Sequence, residues 1–346
     1  MDQCHHGWRG GPGGGPGGLR SRRWPAGSGN SLGSDRSSRG NGGSRPGRWT
    51  LGCPFSSSPP HLDSLPVAGL QVVTDSASDL PEAVLAELGI VVVPLTIRIG
   101  ENDLVDGKDL TPTQFWERCA NSPVLPETAA PAPGAFAQAF SWAAEAGHSG
   151  VICVTLSGAL SGTFDAARAG ASTGSSSIPI RVIDSRSVTM GEGLTVMAAA
   201  RMAAEGKSLD QVAKAVESLV SRTRVYGALG GLDHLKKGGR IGGAQAFLGS
   251  LLSIKPIIEV RNGRVEAESR QRTRGRSLDY LVDKVRQHAP VEQLAVMHGD
   301  APDLDDLLAR IGAALPDQEV LVGDLGPVVG AHTGPGTMGV TFHTTS

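Results

Sequence analysis

From Val67 onward the apolar positions follow two alternating rhythms. Short β-branched runs predict strands over residues 71–74, 90–93, 151–155, 180–183, 294–298 and 319–322. Between them, apolar residues recur every three to four positions. This predicts amphipathic helices over 80–88, 134–146, 194–204, 209–221, 278–288 and 303–315. Ser78 or Asp79 ahead of Pro81 is a suitable start for the first helix. Strands alternating with helices imply an α/β fold with largely parallel sheets. The alternation occurs twice, before about residue 222 and after about residue 290. Residues 225–277, between the two, are richer in glycine and basic residues. The expected organisation is therefore two α/β lobes, 67–222 and 223–346, with a ligand cleft between them. No internal repeat is visible.

Residues 1–66 break this rhythm. Gly, Ser, Arg and Pro dominate, and such a stretch is expected to be a disordered tail. It holds eight Arg against three Asp, a surplus of five positive charges. The remaining chain has 24 basic and 31 acidic residues, a surplus of seven negative charges. An acidic body argues against general nucleic-acid binding. Cys4, Cys53, Cys119 and Cys153 show no metal-ligand spacing, so neither a structural zinc nor any other metal site is expected. With no apolar run in the first thirty residues and none long enough to span a bilayer, a soluble cytoplasmic protein is expected.

Four segments carry candidate chemistry. Ser157-Gly-Ala-Leu-Ser161-Gly-Thr163 follows a predicted strand. A glycine- and serine-rich turn into a helix exposes N–H and O–H donors and suits one carboxylate or phosphate. It lacks the Gly-Lys-Ser/Thr ending of a Walker loop. Glu127-Thr-Ala-Ala-Pro-Ala-Pro133 is expected to be a rigid extended loop from which Thr128 points a hydroxyl. Gly330-Ala-His332-Thr-Gly-Pro-Gly336 places a histidine between a strand-like apolar run and a tight turn. Arg270, Arg272, Arg274 and Arg276 alternate, so an extended chain would bring all four to one face, suited to an acidic partner or to phosphate groups. Residues 247–258 are apolar enough to line a pocket or to fill the core. Ser157, Asp75 and His332 contain the residue types of a hydrolase triad, but no G-x-S-x-G elbow accompanies them. There is no paired-carboxylate motif and no dinucleotide fingerprint. An anion hook beside apolar segments describes a binding protein rather than a catalyst.

The segment Thr74-Asp75-Ser76-Ala77-Ser78-Asp79-Leu80-Pro81 resembles the opening motif of the DegV family of bacterial fatty-acid-binding proteins. The likeness continues through Thr128 to Pro133, Ser157 to Thr163, Val182-Ile-Asp-Ser185 and Leu232 to Ile241. It goes on through Ile254-Lys-Pro-Ile-Ile258 and Arg272-Thr-Arg274 to Gly330–Gly336, spanning residues 70–342. The resemblance implies a two-lobed DegV-type fold, with a Rossmann-like N-terminal lobe, a second α/β lobe and a lipid pocket between them. It implies no catalytic residue and no cofactor. A long-chain fatty acid would be the ligand, handed to a partner fatty acid kinase that phosphorylates its carboxylate for phospholipid synthesis. Carried over by motif, Thr128, Ser157, Ser161 and His332 would hold the carboxylate. Arg240, Arg272 and Arg274 would meet the kinase. Ala129, Ala130 and Ala132 depart from the polar residues usual in the proline loop, which thins the hydrogen bonding around Thr128.

Overall fold

The computed structural model describes residues 21–23, 69–174, 176–248 and 254–345. The first lobe rests on a parallel sheet ordered β3-β2-β7-β8, formed by β2 (Leu70–Asp75), β3 (Ile90–Val93), β7 (Gly150–Thr155) and β8 (Ile180–Asp184). Every residue of β7 is buried because helices cover both faces of this sheet. On one face α3 (Pro133–Glu145) and α4 (Thr163–Thr173) pack Phe136, Phe140 and Ala167 onto Val73, Val151 and Cys153. Gly170 permits this close crossing, since a Cβ there would stand 2.6 Å from the Pro133 carbonyl oxygen. On the other face lie α1 (Glu82–Leu88), α5 (Met190–Ala204) and α6 (Leu209–Arg222). An antiparallel flap, ordered β5-β4-β6, is made of β4 (Thr96–Ile99), β5 (Asn102–Val105) and β6 (Glu127–Ala129). The adjoining helix α2 (Pro112–Ala120) starts on a Thr111–Gln114 capping box.

The second lobe holds a seven-stranded sheet ordered β1-β13-β12-β14-β9-β10-β11. Its strands are β1 (Ser21–Arg23), β9 (Thr223–Ala228), β10 (Lys255–Arg261), β11 (Arg264–Gln271), β12 (Val291–His298), β13 (Val320–Asp324) and β14 (Met338–Thr344). Only the β1–β13 and β12–β13 pairs are parallel. The expectation of largely parallel sheets thus holds for the first lobe and fails for the second. The reason is local: β10 turns straight into β11 through Asn262-Gly263, both at positive φ, and a two-residue turn can only join antiparallel strands. Helices α8 (Arg274–His288) and α9 (Leu304–Ala314) cover the outer face. Two shorter helices, α7 (Asp233–Lys237) and α10 (Pro327–Thr333), pack together at the border between the lobes.

Helix α5 is the wedge between the two sheets. It touches β2 and β7 on one side and β9, β12 and β14 on the other. It is apolar nearly all round, as a helix buried on every side must be. Gly191 fits because a Cβ there would lie 2.6 Å from Val225. One core cluster accordingly joins Val72, Val154 and Leu194 to Ala295, Met297 and Val329, crossing the expected lobe boundary at residues 222–223.

Three local expectations are revised. The run before His332 is helix α10 rather than a strand, with Pro327 at its first turn, where a missing N–H does no harm. Thr128 lies on strand β6, not on a free extended loop. The arginine stripe is broken: Arg270 ends on β11, while Arg274 and Arg276 belong to α8, whose N-cap is Thr273. Of the tail, Ser21–Arg23 pairs along the edge of β13, where Arg22 meets Glu319 and Arg23 meets Asp305. The rest of the expected tail lies outside the described residues.

Candidate functional site

In the first lobe the chain leaves β2 in one direction along the sheet and β7 in the other. The crevice at their carboxyl ends is where open α/β sheets bind ligands. Asp75, at the end of β2, spans this crevice. Its carboxylate accepts the N–H of Ala77 at 2.9 Å and that of Leu156, at the end of β7, at 2.8 Å. Burial raises the Asp75 carboxyl to about 7, against the pull of those two N–H donors. The neighbouring Glu192, buried in α5 and bound by the Thr74 hydroxyl at 2.8 Å, is pushed well above the ordinary range by burial and by Asp75. The two carboxyls thus sit side by side in the core, both raised by burial, and Asp75 has two backbone donors to favour its charged form. Asp75 therefore ties the two strand ends together and fixes the start of the serine-rich turn.

That turn places Ser157 and Ser161 differently. Ser157 is 0% exposed; its hydroxyl donates to the Gly263 carbonyl at 2.7 Å and accepts the Ala159 N–H at 3.2 Å. It thereby fastens the tip of the β10–β11 hairpin onto the first lobe, and its one proton is committed. Ser161 is half-buried, and its hydroxyl shares a 2.9 Å hydrogen bond with Thr163 at the start of α4. It faces a cavity of about 380 Å³ bounded by residues 158–162 on one side and Gly239, Arg240 and Arg264 on the other.

The remaining two expected ligands meet directly. His332, near the end of α10, lies 2.9 Å through Nε2 from Thr128 Oγ1 on β6. Burial first, then the Arg240 charge, then His234 bring its imidazole down to about 4, so it is neutral at pH 7. Its Nδ1 is buried without a partner against Gly238, where a Cβ would lie 2.3 Å away. An orphaned buried N–H is rarer than an orphaned acceptor, which puts the proton on Nε2. Nε2 then donates to Thr128, and the threonine proton is left free to donate outward. Arg240 binds the same glycine. Its Nε donates to Leu160 O at 3.0 Å and one terminal nitrogen to Gly238 O at 2.7 Å.

The structure thus joins Thr128 to His332, places Ser161 with Arg240 at the cavity, and turns the Ser157 hydroxyl toward the hairpin. The triad reading fails on the same contacts, because Asp75 binds backbone N–H groups and His332 pairs with Thr128. Arg272 is exposed. Arg274 forms a two-pronged ion pair with Asp303 at 2.6 and 2.9 Å, bracing α8 against the start of α9. Sequence reasoning missed Gly238, Leu160 and Asp75's bridging role; only the glycine pair before Arg240 hinted at a close approach. Beside the turn, Leu229, Leu235, Ile241, Ala244, Ile258 and Val265 form a small apolar cluster, with Leu160 and Leu232 packed against it. Among the described residues no group of His, Cys, Asp or Glu could hold a metal ion. No helix among them is long and apolar enough to cross a membrane.

Comparison with known proteins locates this architecture. A family model described as an uncharacterised protein of the DegV family matches residues 69–345. A DegV domain-containing protein of Streptomyces coelicolor is 36% identical over 275 residues, which are 78% of this chain and 96% of that one. One from Mycobacterium bovis is 38% identical over 275 residues, 78% of this chain and 95% of its own. Among solved structures, a DegV family protein of Thermus thermophilus described by its fatty acid binding superposes with a TM-score of 0.74. It shares 33% identity and covers 80% of this chain and all of its own, 100%. DegV of Bacillus subtilis, described as a fatty acid binding protein, gives a TM-score of 0.72 at 28% identity, covering 80% and 99%.

Proposed function

This chain belongs to the DegV family, and from that premise we propose that it carries one long-chain fatty acid and presents its carboxylate to a fatty acid kinase. The observation that carries the reading is the Thr128–His332 pair. It ends in a free hydroxyl proton, rests on a neutral imidazole, and has the Arg240 guanidinium close enough to lower that imidazole's basicity. A donor with a nearby cation and no general base grips an anion without attacking it. Ser161 is the second hydroxyl available to the carboxylate. Ser157 acts one step back, setting the shape of the turn and the hairpin.

The acyl chain would enter between the lobes along the Leu160, Leu232 and Leu235 side of the apolar cluster. About twelve buried methylenes contribute roughly 10 kcal/mol before ordering. Hydrogen bonds to the charged head contribute about 1.5–3 kcal/mol each before desolvation. The tail therefore supplies most of the affinity, and the head group sets which way the lipid faces. Arg240 and the exposed Arg272 are the proposed contacts to the kinase. Arg274, held by Asp303, supports that surface from behind. Two unpaired thiols, Cys119 and Cys153, suit a reducing cytoplasmic setting.

The test begins with protein purified without detergent. Solvent extraction and mass spectrometry are expected to give one long-chain fatty acid per chain. Adding a fatty acid kinase and ATP is expected to give acyl phosphate, whereas the chain alone gives none. Protein that arrives empty and takes up neither oleate nor palmitate overturns the carrier reading. Acyl phosphate or ester turnover by the isolated chain overturns its non-catalytic part.

A further inference from the structure

Helix α10 carries His332 in its last turn and starts on Gly326. The backbone at Gly326 does not ask for a glycine, since its φ of −69° suits any residue. What excludes a side chain is a neighbour: a Cβ there would stand 2.3 Å from Oδ1 of Asp79. Asp79 belongs to the first lobe and directly follows the short turn Ser76–Ser78 at the end of β2. A carboxyl group of one lobe is thus pressed against the start of the helix that holds the other lobe's half of the head-group pair.

The position of Asp79 is costly. Its φ is 52°, in the left-handed region. Both carboxylate oxygens are buried without a hydrogen bond of good geometry. No ion pair among the described residues involves it. The donors beside it are the Thr189 hydroxyl and the Gly326 N–H, and burial pushes the carboxyl well above its ordinary range in spite of them. Thr189 is strained as well, with φ 50° and ψ −141°, values a β-branched residue rarely adopts. Stability alone does not favour such an arrangement. Strain of this kind persists where the surrounding structure over-determines it, and it gathers at functional sites.

The far end of α10 shows what the contact serves. Between Gly326 and His332 the helix rises about 9 Å. His332 is confined there. Its Nε2 meets Thr128 Oγ1 at 2.9 Å, and its Nδ1 lies where a Cβ on Gly238 would approach to 2.3 Å. A movement of the helix by roughly 0.5 Å takes the Thr128 bond out of the ordinary range or drives the ring onto Gly238. The second lobe fixes the same turn from its own side, where Leu325 N–H donates to His298 O at 2.7 Å.

We propose that Asp79 is a positioning residue for the carboxylate anchor: through Gly326 it sets the height of α10 and so keeps His332 in register with Thr128. Asp79 itself touches no lipid. The role in lipid binding rests on the carrier reading above; the effect on His332 does not.

The experiment uses the full chain and two variants that disturb the contact from opposite sides. Asp79→Gly suits the local backbone and lets α10 settle into the vacated space. Gly326→Ala pushes the helix away from the carboxyl. Each is made alone and together with Thr128→Val, and palmitate affinity is read by displacement of a fluorescent fatty acid. Each variant alone is expected to weaken binding by about tenfold, and by less than about twofold where Thr128 is already valine, because a displaced His332 then has no partner to lose. Equal losses in the two backgrounds are what general weakening of the fold produces, and they overturn the proposal. So does unchanged affinity in the variants that fold. If neither variant folds, Asp79 is a folding residue and the assignment falls. A second readout needs no lipid. With ¹⁵N-labelled histidine, His332 is expected to show the neutral Nε2–H form in wild type and to lose that tautomer preference in Asp79→Gly. If wild type binds no fatty acid, the carrier reading fails and this spectrum decides the positioning alone: a His332 signal that does not change overturns it.

Discussion

Thr128 is the residue on which the head-group argument turns. Replacing it by valine keeps the shape and removes the only proton that the His332 pair can offer outward. Removing one hydrogen bond to a charged group is expected to weaken fatty acid binding by roughly 10–100-fold, read by displacement of a fluorescent fatty acid. His332 and His343 also shape the pH dependence of stability. Burial brings both down to about 4 from 6.5. The unfolded chain takes up protons between those values while the folded chain does not, so each histidine removes about 3 kcal/mol of stability as pH falls from 6.5 to 4. Asp106 has the opposite sign. Burial raises it from 3.8 to about 6, so its unfavourable contribution grows as pH rises through that window. The two slopes oppose each other. His343→Gln is expected to lose about 3 kcal/mol less than wild type between pH 7 and pH 4, as measured by urea midpoints at each pH. At this scale much was legible: Thr128 and His332 stand 204 positions apart, yet their motifs marked both, and they touch. The fate of the Ser157 proton was not legible, because its acceptor is a backbone carbonyl 106 residues away whose position depends on a hairpin turn.

That hairpin is the element whose placement matters most to the site. Its tip, Asn262-Gly263, has φ values of 51° and 77°. It lies so close to the serine turn that a Cβ on Gly263 would be 2.5 Å from Ser157 Oγ. Ser157→Ala leaves the Gly263 carbonyl buried and unpaired, an expected loss of about 1–2 kcal/mol. Amide exchange at residues 262–265 is expected to quicken while that of β7 is unchanged; equal quickening would mean that the bond does not hold the tip in particular. The elements found from periodicity alone were those with long, regular patterns, such as α6 and α8. Those missed were short or strained by context. Helix α10 reads as a strand because Val328 and Val329 are β-branched, whereas Pro327 at its first turn and packing on neighbours that include α7 and α2 favour the helix. Helix α5 begins at Met190, four residues before the apolar rhythm suggested, because Gly191 and Gly193 there serve close packing and carry no pattern of their own.

The molecule as a whole has less of a boundary than its sequence suggests. Two α/β rhythms with a glycine-rich interval imply two lobes, and each lobe does rest on a large sheet of its own, with the β5-β4-β6 flap as a third. Yet α5 is shared by both, and α2 of the first lobe drives Trp116 between Gly299 and Gly330 of the second. Such interpenetration cannot be read from periodicity, which records which face is apolar but not what covers it. It has a consequence for folding. A Cβ at Gly330 would stand 2.8 Å from Phe115 and 2.9 Å from Trp116, so Gly330→Ala must push α2 away from α10. Overpacking of this kind typically costs about 1–3 kcal/mol. If the lobes were independent, the loss would fall on one of them. Because one core cluster crosses from Val72 and Val154 to Met297 and Val329, both are expected to weaken together. Hydrogen exchange at β7 and at β12 follows the two lobes separately in the same sample. Equal loss of protection at both strands is the expected result, and loss confined to one strand would separate the lobes that α5 and Trp116 join.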